Sequence, residues 1–254
     1  MIKTIQKSKL FIIIIVVGVL TSCVPKKEVV YFQNARSFET IVDTDTFEAT
    51  FKVNDIVSIY VSTFNLEAVR PFNLVKQTGN SGEEIDYLID LEGNIDYPVL
   101  GKIKLLGLTI QEAKELLKEK LSAGYLKDPV INIRILNFRV TIAGAVNRPG
   151  VYNVSGERVS ILEALGLAGD LTIKGRRDNI LVVRDFKGTK TYTRLDITNK
   201  EVFNSPVYYL TQNDYVYVEP NNSAISSATG DARLGTIISI STFVITTTLI
   251  LLTR

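Results

Sequence analysis

Thr109-Ile110-Gln111-Glu112-Ala113-Lys114-Glu115-Leu116-Leu117-Lys118-Glu119-Lys120-Leu121 is the stretch on which the fold turns. Thr109 and Glu112 have the spacing of a capping box, in which the threonine hydroxyl accepts from the Glu112 amide and the carboxylate reaches back. Ile110, Ala113, Leu116, Leu117 and Leu121 then recur at helical spacing, and Gly124 stands beyond the end. That helix pairs with several strands in an α+β plan. Upstream, Lys52 to Val61 alternates after an Asn54-Asp55 turn, with Ile56, Ser58 and Tyr60 on one face and Val57, Ile59 and Val61 on the other. Residues 76–84 read as a polar loop. Tyr87-Leu88-Ile89, a turn over Asp90 to Asn94 containing Gly93, and Ile95 to Leu100 read as a hairpin. Downstream, Pro129 leads into a strand with Ile131, Ile133 and Ile135 facing one way.

The same plan is repeated. A second unit opens with Arg139-Val140-Thr141-Ile142-Ala143-Gly144 and turns at Arg148-Pro149-Gly150-Val151. Pro149 presets φ and Gly150 takes the positive φ of a type II turn. Ser160-Ile161-Leu162-Glu163 is another capping box, stopped at Gly169. Strands are expected at Ile180–Asp185, Thr189–Leu195 and Asp214–Val218. Asn213-Asp214 before the last of these echoes Asn54-Asp55 before the first. The expected fold is α+β: two small mixed α/β-sheet domains, residues 47–136 and 137–220. A linker over 221–234 and a C-terminal membrane helix over 235–254 follow.

The chain's two ends are apolar. Lys3, Lys7 and Lys9 precede an 11-residue run from Leu10 to Leu20, the proportions of a signal peptide over residues 1–22. Leu20-Thr21-Ser22-Cys23 resembles a bacterial lipobox, which makes Cys23 the lipidation site and 23–46 a lipidated tether. Acyl chains bind a bilayer through about 0.8 kcal/mol per buried methylene. Position 24 is Val rather than Asp, which favours the outer membrane. At the other end, the 16 uncharged residues from Ile237 to Leu252 span roughly 24 Å as a helix, a little short of a bilayer core. Ser239, Thr242 and Thr246 share one face of that helix. They either pack against a neighbouring helix or line the wet lumen of a ring; a strand is the third option.

Composition narrows the chemistry. The chain of 254 residues has no His, which excludes Ser–His and Cys–His nucleophile pairs and most zinc and copper sites. Its single Cys rules out an internal disulfide. Removing the leader leaves 26 basic against 27 acidic residues, so no basic face for nucleic acid is expected. Asp90, Glu92, Asn94 and Asp96 alternate like a calcium loop. Ile95 and Gly101 stand where that loop needs Gly and Glu, and a turn explains the residues better. Glu83, Glu84 and Asp86 read as solvated. Tyr208, Tyr209, Tyr215 and Tyr217 suit strand packing more than sugar stacking. No catalytic residue, metal site or cofactor is expected beyond the covalent lipid on Cys23.

Together these residues resemble the Wza-type polysaccharide export lipoproteins, and more closely their Bacteroidetes branch. The carrying segments are Asp55 to Val61, Pro71-Phe72-Asn73, the run from Tyr87 through Gly93-Asn94-Ile95-Asp96-Tyr97-Pro98-Val99-Leu100-Gly101 to Gly107-Leu108-Thr109, and Gly144-x-Val146-x-x-Pro149-Gly150-x-Tyr152. The last is similar to the start of a soluble-ligand-binding β-grasp (SLBB) domain. Asn54 and Asn213 stand where the family often has Gly before Asp, a change that Asn tolerates. Only one SLBB-like unit fits before Pro220. The resemblance implies an outer-membrane, lipid-anchored homo-oligomeric ring with its main body in the periplasm. It would conduct capsular polysaccharide or exopolysaccharide. Its implied partner is an inner-membrane chain-length regulator or tyrosine-kinase-type co-polymerase. A lipid-anchored glycan-binding module without a pore, and a periplasmic hydrolase, are the alternatives.

Overall fold

The computed structural model describes residues 29–36, 48–78, 81–186, 188–229 and 232–252. A mixed α/β chain builds two apolar cores in succession, one from Phe51 to Ile133 and one from Phe138 to Val218.

The first core collects β1 (Ile56–Ser62), α1 (Leu66–Val69), β2 (Val75–Thr78), β3 (Ser81–Glu84), β4 (Tyr87–Leu88), β5 (Asn94–Tyr97), β6 (Gly101–Lys104), α2 (Ile110–Ser122) and β7 (Val130–Ile135). Its main sheet is antiparallel in the order β4-β1-β7, and α2 packs against β7. Period-two burial makes this sheet one-sided: Val57, Ile59 and Val61 are buried while Tyr60 faces out. The box that starts α2 is complete, with Thr109 Oγ1 accepting from the Glu112 amide and Glu112 Oε2 accepting from the Thr109 amide. Ala113, Leu117 and Leu121 are fully buried beneath it.

Two expectations fail here. Residues 76–84 are not a loop, because β2 and β3 pair as an antiparallel hairpin. Nor do residues 87–100 form one hairpin. β4 joins β1, whereas β5 turns back through Pro98, Val99 and Leu100 onto β6. The turn at 90–94 is real: Asp90 Oδ1 accepts from the Asn94 amide at 2.8 Å, and Gly93 adopts φ +84°. It passes the chain between sheets. A Cβ on Gly93 would stand 2.3 Å from Leu106 Cβ, so the loop packs too closely for any side chain.

The second core holds β8 (Arg139–Gly144), β9 (Gly150–Asn153), β10 (Val159–Ser160), α3 (Ile161–Leu167), β11 (Gly175–Phe186), β12 (Thr189–Leu195), β13 (Tyr209–Leu210) and β14 (Tyr215–Pro220). Five strands run in the order β12-β11-β14-β8-β9, with β14 parallel to β8 and every other pair antiparallel. The last strand is therefore a central one. Ser160 and Glu163 close the second capping box, and Ile161, Ala164 and Leu165 are buried under it.

The expected Pro149-Gly150 type II turn is absent. Gly150 opens β9 opposite Ile142 and has no positive φ. Residues 145–149 first run beside the loop after α3, where the Arg148 amide donates to Ala168 O and the Asn147 amide to Asp170 O. The left-handed glycine is Gly144, at φ +89°, whose added Cβ would lie 2.1 Å from Val218 O.

The termini also depart from expectation. Within the expected tether, the described residues 29–36 dock on the second core. The Phe32 and Gln33 amides donate to Ile197 O and Thr198 O, and the Phe32 ring stacks on Phe203 at 5.2 Å. The expected linker is helical over α4 (Asn222–Thr229). The C-terminal stretch is the helix α5 (Ala232–Leu252), but among the described residues no helix is long and apolar enough to cross a membrane.

Candidate functional site: two facing turns and the C-terminal helix

Asn54-Asp55 and Asn213-Asp214, far apart in sequence, fold into the same device and meet at the junction of the two cores. Asn54 and Asn213 adopt left-handed φ of 68° and 64°. Each following Asp is wholly buried and turns its Oδ2 back to an amide three residues earlier, Lys52 N for Asp55 and Thr211 N for Asp214, both at 2.8 Å. Such a carboxylate-to-amide bond fixes a turn as an Asx motif.

The two turns are then tied to each other. Lys52 Nζ crosses to donate to Thr211 Oγ1 at 2.7 Å and Gln212 O at 3.0 Å. Asn137, between the cores, accepts from the Ile56 amide through Oδ1 and donates to Asn54 O through Nδ2. Gln212 repeats this, accepting from the Arg139 amide and donating to Asn137 O. These directional bonds couple the cores into one body rather than leaving them on a swivel.

The twin carboxylates differ in their remaining oxygen. Asp214 is clasped by Arg184, whose Nη2 approaches Oδ2 at 2.7 Å and whose Nε lies 3.1 Å from both oxygens. In the first core Ile89 lies across from Asp55, its amide donating to Asp55 O, so no guanidinium is there and Asp55 Oδ1 is buried without a hydrogen-bond partner. Burial consequently pushes the Asp55 carboxyl up to about 6, against the bond from the Lys52 amide and the Lys52 charge. Burial also pushes the Lys52 ammonium down, opposed chiefly by Asp214. A cleft of about 480 Å³ opens over the junction, lined by Lys52, Val53, Asn54, Leu106, Asp185 and Asn213 among others. Nearly every charged group near it is committed to holding turns. Among the described residues no cluster of three or more His, Cys, Asp or Glu could hold a metal ion.

The α5 stripe lies elsewhere. Ser239 Oγ donates to Gly235 O at 2.8 Å, Thr242 Oγ1 to Ile238 O at 2.7 Å and Thr246 Oγ1 to Thr242 O. Each hydroxyl thus satisfies itself on its own helix, a pattern common for Ser and Thr in apolar helices. Ile238, Ile240, Phe243, Ile245 and Ile250 are all exposed. Cys23 lies outside the described residues. Pro149 is exposed on the loop before β9, Gly150 is a strand residue, and Gly93 packs against Leu106, a residue of the cleft wall.

Sequence reasoning found the two Asn-Asp turns but missed the groups that join them, Lys52, Asn137, Thr211 and Gln212, and Arg184, which braces the second. The available signal was the paired spacing Lys52-x-x-Asp55 and Thr211-x-x-Asp214. The apolar run Val29-Val30-Tyr31-Phe32, set within a largely polar tract, was the signal for the docked segment. Tyr208 and Tyr209 do pack, Tyr208 on Phe203 and the two on each other at 5.0 Å, with Arg158 over the Tyr209 ring.

Comparison with known proteins follows the same two-part division. Residues 44–136 match the family described as polysaccharide biosynthesis/export protein, and residues 139–194 match the SLBB domain. Among curated proteins, the EPS I polysaccharide export outer membrane protein EpsA of Ralstonia solanacearum is 26% identical over 149 residues, which cover 57% of this chain and 39% of that protein. The protein of the same name from Ralstonia nicotianae is 30% identical over 105 residues, covering 40% of this chain and 27% of the relative. The chain thus spans well under half the length of the curated relatives it matches.

Proposed function

The chain belongs to the family of Wza-type polysaccharide export proteins, and from that premise we propose that it carries capsular polysaccharide or exopolysaccharide across the bacterial outer membrane. It does so as a lipoprotein acylated on Cys23, assembled as a ring of identical copies around the passage. The observation that carries this reading is the ordered pair of matched domains, locked to each other by Lys52, Asn137 and Gln212. A ring closes only when every copy presents its two contact faces at one fixed angle, and a rigid junction supplies that constancy. The mechanism is conduction, not catalysis, and the growing polymer is delivered by an inner-membrane chain-length regulator or tyrosine-kinase-type co-polymerase.

A second reading is a lipid-anchored glycan-binding module without a pore. It is favoured by the self-satisfied hydroxyls of Ser239, Thr242 and Thr246, which demand no neighbouring helix. Native mass of the acylated, detergent-extracted protein decides between them. A discrete oligomer of several subunits, with export lost on deletion, supports the ring; a monomer in several mild detergents refutes it. Cys23→Ser is expected to fold normally and leave the outer membrane. Its full retention in washed membranes would refute the acylation.

A further inference from the structure

Both ends of the chain leave the body at one place. Coming from the N-terminal side, the Tyr31 hydroxyl donates to Asp170, and its ring lies under the Arg177 guanidinium. Leaving toward the C-terminal helices, the Asn221 amide donates to Lys174 O at 2.7 Å, one residue before α4 begins. Asp170 and Lys174 belong to the same short loop, between α3 and β11.

That loop carries unusual side chains. Ile173 is 67% exposed and Leu167, at the end of α3, is 42% exposed. Arg148 lies beside them, its Nη2 donating to Leu167 O, and Lys174 and Arg148 are both exposed. Two large apolar residues flanked by two cations are suited to a phospholipid surface, where apolar groups enter the interface and cations meet lipid phosphates.

Chain length limits where the lipid can be. Only seven residues lie between Cys23 and Tyr31, eight residue steps with a contour of roughly 28 Å even when fully extended. Acyl chains on Cys23 therefore hold the Tyr31 docking site within that distance of the leaflet. The opposite exit leads through α4 to α5, whose described large apolar residues Ile238, Ile240, Phe243, Ile245 and Ile250 are exposed.

We propose that the loop from Leu167 to Lys174, with Arg148, is a membrane-contact surface that seats the second core on the phospholipid leaflet holding the Cys23 acyl chains. This rests on the lipoprotein reading above. The first core, although it follows the tether directly in sequence, is then held away from the leaflet by the length of the second.

The chain has no Trp, so a single introduced one reports alone. The full acylated protein carrying Ile173→Trp is reconstituted into phosphatidylethanolamine–phosphatidylglycerol vesicles, with and without bromine on the acyl chains. Leu91→Trp, at an 84% exposed turn of the first core, is the control. The expected result is a blue shift and loss of indole emission from the Ile173→Trp protein in brominated vesicles, with emission from the Leu91→Trp protein unchanged. If the protein sediments with vesicles while the Ile173→Trp indole is quenched no more than the control, the loop assignment is overturned and the anchor stands. A blue shift without bromine quenching places the loop against a second copy and equally overturns it. Failure of the acylated protein to bind vesicles overturns both this proposal and the lipoprotein reading.

Discussion

Asp55 and Asp214 occupy equivalent turns with opposite surroundings, so their amide variants should change stability in opposite directions. Asp55 Oδ1 is buried without a partner, and burial lifts its carboxyl from the ordinary 3.8 to about 6. At about 1.36 kcal/mol per tenfold, that difference is worth about 3 kcal/mol. A carboxyl raised by folding favours the folded state while protonated and loses that contribution as pH climbs through its folded value. Wild-type stability measured against Asp55→Asn should therefore fall by about 3 kcal/mol between pH below 4 and pH above 6. The amide of the Asp55→Asn variant keeps an oxygen for the Lys52 amide and carries no charge to bury. Asp214→Asn instead strips the carboxylate from Arg184, whose side chain is only 16% exposed, and breaking such a pair costs about 3–5 kcal/mol. Urea titration of the Cys23→Ser chain, followed by far-UV circular dichroism from about pH 3 to 8, measures all three. An unaltered pH slope in Asp55→Asn, or loss of stability of similar size in both variants at pH 8, would refute the reasoning.

Other perturbations test other links. Gly144→Ala forces a Cβ to within 2.1 Å of Val218 O at a left-handed φ, and should lower the urea midpoint of the second core by the equivalent of about 2 kcal/mol or more. Leu117→Ala, beneath α2, should cost about 2–5 kcal/mol in the same assay. Thr109→Ala removes one half of a capping box and should cost about 1 kcal/mol. Phe32→Ala empties the stack on Phe203, and hydrogen exchange at the Phe32 and Gln33 amides should accelerate while the two sheets keep their protection.

Local signals were the legible ones. The boxes at Thr109–Glu112 and Ser160–Glu163 specify helix starts with nearby atoms alone, and the alternation of Val57, Ile59 and Val61 marks a one-sided strand. What could not be read depends on partners distant in sequence. β2 and β3 carry no apolar alternation, so their hairpin has no hydrophobic signature. Gly150 looked like a turn residue because Pro149 precedes it. The real constraint sits at Gly144, imposed by Val218, a contact that exists only once β14 has inserted beside β8. At the junction, Asn54-Asp55 and Asn213-Asp214 were visible as turns. Nothing in either segment announced that Lys52 would reach Thr211. The docked Tyr31 and Phe32 were obscured by the polar residues around them, which resemble a tether by composition.

The central place of β14 has a mechanical consequence. α4 begins two residues after Pro220, where β14 ends, so tension on the C-terminal helices is delivered along a strand flanked on both sides. On one side β14 is bonded in parallel to β8, and on the other in antiparallel fashion to β11. Pulling its end loads both ladders in shear, so many bonds must slip together. A strand at the rim, pulled the same way, would carry the load on a single ladder. The sheet therefore resists force where the chain leaves it.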